Sequence, residues 1–82
     1  MDEARLKRLR MRSWRRGTKE MDLILGPFAD ARIPTLAPEE LDRYEALLAE
    51  DDHALYGWIA RGVTPPDGYA GLVGEIRRAV GA

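Results

Sequence analysis

The sequence predicts an all-α fold, a small single-domain bundle of five short helices spanning residues 1–82. Three observations carry this. Apolar residues recur at intervals of three and four, the spacing of one helix face. Capping residues bracket those apolar stretches. No segment sustains the period-two alternation of a half-buried strand.

Residues 3–14, "EARLKRLRMRSW", place Leu6 and Leu9 at helical spacing among basic residues. They read as a short amphipathic helix with a narrow apolar stripe. Gly17 marks its end, because a glycine past the last turn can take the left-handed conformation that closes a helix. The second helix starts at Thr18 and runs through "KEMDLILGPFADARI". Thr18 offers a capping hydroxyl, and Glu20 and Asp22 put acids at the positive end. Met21, Ile24, Leu25 and Phe28 form its apolar face. Pro27, after Gly26, lacks a backbone donor and is expected to kink or end the helix.

"TLAPEELDRYEALLAED" is the third helix, with Pro38 at the first helical position and Leu41, Tyr44, Leu47 and Leu48 on one face. Asp51 and Asp52 break it and supply an N-cap for a fourth helix, "DHALYGWIARG", which buries Leu55, Trp58 and Ile59 and stops at Gly62. "VTPPDG" is a turn signal. Asp67 is expected to cap a fifth helix whose inner face is Tyr69, Leu72, Val73, Ile76 and Val80, with Arg77 and Arg78 in its last turn. Gly71 and Gly74 inside it are expected to mark close helix packing.

Composition narrows the chemistry. The chain has 82 residues, room for one small core. It has no cysteine, so a disulfide framework, a Cys-based zinc site and thiol chemistry are excluded. No apolar run approaches a membrane span, and the acidic start with Asp2 and Glu3 lacks the apolar core of a signal peptide. A cytoplasmic protein without membrane insertion is expected. His53 is the sole histidine and Ser13 the sole serine, and they are far apart in sequence. No nucleophile with a base, no phosphate loop and no metal-ligand spacing is visible. No catalytic residue and no metal are therefore expected.

Charge is unevenly spread. Residues 1–20 hold eight basic and three acidic residues, a net +5, and residues 21–82 hold five basic and eleven acidic, a net −6. A domain polarised in this way orients itself toward a charged partner. A basic helix carrying Trp14 is also compatible with a nucleic-acid-binding or antitoxin-type regulator. A pI near 5.8 and the absence of a recognised nucleic-acid-binding motif argue for a protein partner and no nucleic acid.

The segment "SWRRGTKEMDLILGPFAD" contains Arg16-Gly17-x-x-Glu20. Downstream, Leu47, Leu48, Asp51, Asp52, Leu55 and Trp58 match the pattern LL-x-x-D-D-x-x-L-x-x-W. Together, over Leu6 to Ile76, the chain resembles the succinate dehydrogenase assembly-factor (flavinator) family, five-helix proteins with an RGxxE motif between the first two helices. The Gly26-Pro27 pair departs from the helix continuity of that pattern, and the chain ends soon after the fifth helix.

The resemblance implies a partner and a site. Members bind the flavoprotein subunit of succinate dehydrogenase, and in some bacteria that of fumarate reductase. They promote covalent attachment of FAD to a histidine of that subunit and hold it before it meets its iron–sulfur partner. On that pattern the protein is not an enzyme, binds no cofactor stably, and leaves FAD with the partner. A monomer is expected. Arg16, Gly17 and Glu20 would be contact residues, with Arg12, Trp14, Arg15 and Lys19 broadening the surface. Gly17 would let a partner backbone approach. Arg16 would offer a planar fork to a carboxylate, carbonyl or pyrophosphate, directed outward. Glu20 would orient Arg16 or accept a hydrogen bond.

Overall fold

The helices form where the caps place them. In a computed structural model describing residues 3–81, α1 spans Glu3–Trp14, α2 Lys19–Arg32, α3 Pro38–Leu48, α4 Asp52–Ala60 and α5 Ala70–Gly81. Short 3-10 turns at Ile33–Thr35 and Asp67–Tyr69 lead into α3 and α5. No strand occurs among the described residues. Asp2, part of the acidic start noted above, lies outside them.

Local chemistry fixes most boundaries. Thr18 Oγ1 accepts the Met21 N–H at 3.3 Å, and Asp51 Oδ2 accepts the Ala54 N–H at 3.2 Å. Each supplies an orphan donor at the start of its helix with a partner. Pro38 opens α3, where Glu40 reaches back to the Ala37 N–H at 3.2 Å. Gly17 and Gly62 hold φ of 100° and 72°, the only positive values among the described residues.

One core joins all five helices. Leu9 of α1, Met21, Leu25 and Phe28 of α2, Leu41, Tyr44 and Leu47 of α3, Leu55 of α4 and Val73 and Ile76 of α5 are buried. Each such aliphatic side chain contributes roughly 1.5–3 kcal/mol on leaving water. α2 is central and packs against α1 and α5, while α1 also lies across α3. Phe28 and Tyr44 meet at 5.8 Å between ring centroids, tying α2 to α3.

Several expectations need correction. Pro27 neither ends nor breaks α2, which continues to Arg32. Leu25, Phe28 and Ala29 bury themselves on the inner side, and this packing outweighs the one missing backbone bond. Pro27 itself stays on the solvent side. Asp67 makes no side-chain cap; it enters a 3-10 turn, and α5 starts three residues later. Val80 is 51% exposed and lies off the inner face. Gly71 and Gly74 do not mark close packing, since a Cβ at Gly71 would meet nothing and one at Gly74 only the tip of Arg78. Arg77 leaves its own helix end and binds the Trp58 carbonyl, through Nε at 2.7 Å, and the Val63 carbonyl at 3.2 Å. It thereby closes the exposed C-terminal end of α4.

Candidate partner-binding site

The turn between α1 and α2 is built on Gly17. Its φ of 100° lies in the region that favours glycine. A Cβ there would meet no atom within 4 Å, so the position is open to solvent. Asp22 secures the turn from the first turn of α2, its Oδ1 accepting the Arg16 N–H at 2.6 Å.

The Arg16 side chain points inward. Its Nε donates to Asp52 Oδ1 at 2.8 Å, Nη2 donates to the Glu50 carbonyl at 2.8 Å, and Nη1 donates to the Leu48 carbonyl. Those carbonyls lie at the C-terminal end of α3, where backbone acceptors lack helical partners and the helix dipole favours a cation. Asp52 is the first residue of α4. One guanidinium thus ties the α1–α2 corner to the α3–α4 corner, with only 11% of its side chain exposed. The outward fork expected from the sequence is instead occupied inside the chain. Glu20 does not orient Arg16, because Asp52 takes that place. Glu20 is exposed beside Thr18, Asp51, His53 and Tyr56, on the wall of a shallow hollow of about 400 Å³.

The flanking residues divide into two groups. Trp14 lies over α2, with its indole N–H donating to Asp30 Oδ2 at 3.2 Å and its ring covering Gly26. It keeps 40% exposure. Arg12 and Arg15 instead line a groove along α1 with Ala4, Lys7, Arg8, Met11 and the Arg16 stem. Arg12 leans toward Glu45, 4.0 Å away. Lys19 is exposed at the start of α2 and lies outside that groove. The sequence reading missed Asp22, Leu48, Glu50, Asp52 and Met11 as parts of this region. A signal for Asp52 existed, since both motif segments that carried the resemblance contain a partner of this one ion pair.

Ser13 is buried, donating to the Leu9 carbonyl at 2.8 Å and lying 2.6 Å from the Tyr44 hydroxyl. Burial, partly offset by the bond to Ser13, pushes the Tyr44 phenol up to about 12. His53 is exposed, and no cluster of metal-ligating side chains occurs among the described residues. No helix among them is long and apolar enough to cross a membrane.

The fold is thus a five-helix domain with a glycine corner between its first two helices, buttressed by Arg16. The family model described as flavinator of succinate dehydrogenase matches residues 7–80, and the chain belongs to that family. A FAD assembly factor of Pseudomonas aeruginosa, SdhE, is 39% identical over 79 residues, covering 96% of this chain and 86% of the relative. Succinate dehydrogenase assembly factor 2 of Komagataella phaffii mitochondria is 38% identical over 66 residues, covering 78% of this chain and 35% of the relative. The corresponding factor of Meyerozyma guilliermondii is 40% identical over 68 residues, covering 79% of this chain and 50% of the relative. The match thus spans a third to a half of these mitochondrial relatives and most of the bacterial one.

Proposed function

We propose that this chain binds the flavoprotein subunit of succinate dehydrogenase, or of the related fumarate reductase, and promotes covalent attachment of FAD to it in the cytoplasm. The contact is the corner at Gly17 and Glu20, flanked by Arg12, Trp14, Arg15 and Lys19. Arg16 serves that contact from behind, by fixing the corner's position against α3 and α4. The chain acts as an enabling partner rather than a catalyst, and FAD stays with the flavoprotein. The observation that carries this reading is the open, left-handed Gly17, held rigid by Arg16 and Asp22, in a chain of the flavinator family.

The test is co-expression of the flavoprotein subunit with and without this chain, followed by in-gel flavin fluorescence and pull-down. The wild type is expected to raise covalent flavin and to co-purify with the subunit. Glu20→Ala, at an exposed position, should keep its fold and lose binding. Gly17→Arg should also lose binding, with an additional backbone penalty of about 1–2 kcal/mol for a side chain in the left-handed region. Unchanged flavin fluorescence together with no co-purification of the wild type rules the reading out.

A further inference from the structure

The groove along α1 gathers Lys7, Arg8, Arg12 and Arg15 on one side of the molecule. It runs from Ala4 to Arg16 and holds about 470 Å³. At the helical rise of about 1.5 Å per residue it is roughly 18 Å long, the span of five or six residues of extended chain. Lys7, Arg8 and Arg15 line it without an ion pair among the described residues, and Met11 stands 44% exposed between them. The groove's last lining residue, Arg16, directly precedes Gly17 in the chain.

Several of the chain's own carboxylates are engaged elsewhere. Asp42 and Glu45 hold Arg5, Asp52 holds Arg16, Glu75 holds Arg32, and Asp30 accepts from Trp14. Among the described residues no carboxylate lines the groove. That local excess of positive charge argues for an acidic occupant and against pairing with the same face of a second copy. The exposed, unbranched Met11 at the middle of the groove adds an adaptable apolar seat.

We infer that the α1 groove takes an acidic segment of the flavoprotein subunit, five or six residues long, with one apolar side chain seated on Met11. This rests on the function proposed above and adds to it a second contact beyond the Gly17 corner. Binding then has two components, a shape-dependent one at the corner and a charge-dependent one along α1. The charge component sets encounter rate and salt sensitivity.

The test measures affinity for the purified flavoprotein subunit at low salt and at about 0.5 M salt, where screening suppresses exposed pairs. A double reversal, Lys7→Glu with Arg8→Glu, is compared with a remote double reversal, Arg43→Glu with Arg78→Glu, that changes net charge equally. The groove variant is expected to bind about tenfold or more weakly at low salt, with the difference narrowing at high salt. The remote variant should bind within about threefold of wild type. Circular dichroism checks both folds, and if the reversal unfolds the chain, Lys7→Gln with Arg8→Gln replaces it, with a smaller shift of the same sign.

Equal weakening by both reversals, or none by the groove variant, overturns the inference and leaves the corner reading standing. No binding by the wild type overturns both. Vesicles containing phosphatidylglycerol provide a further arm. Groove-dependent vesicle binding with unchanged flavoprotein affinity assigns the groove to a membrane surface. Groove-dependent self-association with unchanged flavoprotein affinity assigns it to a second copy. Either result overturns the inference.

Discussion

Gly26 shows how one missing side chain sets the surface beside the corner. A Cβ there would lie 2.3 Å from the Trp14 ring, closer than any atom pair tolerates, so the indole must leave. Gly26→Ala therefore sets two effects against each other. Alanine gains about 1 kcal/mol of helix propensity, and overpacking costs about 1–3 kcal/mol. The ring is the moving part, half exposed and fastened by one bond to Asp30, so the net effect on stability is within about 1–2 kcal/mol of zero or destabilising. The sharper expectation is spectroscopic. Trp14 fluorescence, isolated in a Trp58→Phe background, shifts to the red as the indole enters water. An unshifted spectrum contradicts the packing described. Glycine beside proline invites reading as a helix break, and here the sequence misleads. Gly26 accommodates an aromatic ring from twelve residues earlier in the chain, which no local pattern reveals, and Pro27 is carried by the burial of its neighbours.

At the scale of elements, the structure is two helix corners locked by Arg16. Removing that side chain leaves Asp52 without its cation and two helix-end carbonyls without a donor. Arg16→Ala is expected to cost about 2–4 kcal/mol in urea unfolding. Arg16→Lys should recover less than half of it, because an ammonium cannot span three acceptors in one plane. A lysine variant as stable as wild type would mean that the fork geometry is unimportant. Helix starts at Thr18, Pro38 and Asp51 were legible in the sequence because their partners lie within three residues. The lock was not, because its partners are thirty-two to thirty-six residues away and two of them are main-chain oxygens. The RGxxE pattern marked the corner but carried no information on which way its arginine turns. For Val80 and Asp67, periodicity and cap preference pointed inward and to a cap, and tertiary packing decided otherwise.

At the scale of the whole molecule, a domain with a Cα radius of gyration of 11.6 Å has few buried groups, so each one weighs on total stability. Tyr44 is the buried group that makes stability depend on pH. Its phenol ionises near 12 in the folded chain and near 10 when unfolded. The unfolded chain thus loses its proton first as pH rises, and its deprotonation favours unfolding. Stability is expected to be level with respect to this group below pH about 10 and to fall between about 10 and 12. Tyr44→Phe should lower stability at neutral pH by about 1 kcal/mol and flatten that alkaline decline. Thermal melts across the alkaline range in both proteins check this, and an unchanged decline in the phenylalanine variant assigns it to other groups. The polarised charge that the sequence displayed survives folding in part, since Lys7, Arg8, Arg12 and Arg15 line one groove along α1, whereas Arg5 and Arg16 are paired with acids of α3 and α4.

Two of the three acceptors that hold Arg16 are peptide oxygens, which every amino acid supplies. The lock therefore asks only position 52 to keep a carboxylate, while Leu48 is fixed by the core and Glu50 by its bond to Tyr69 rather than by Arg16. A designer or a lineage rebuilding the α3–α4 turn inherits the corner's rigidity at the cost of a single conserved acid, so the surface facing a partner and the segment behind it can be altered almost independently.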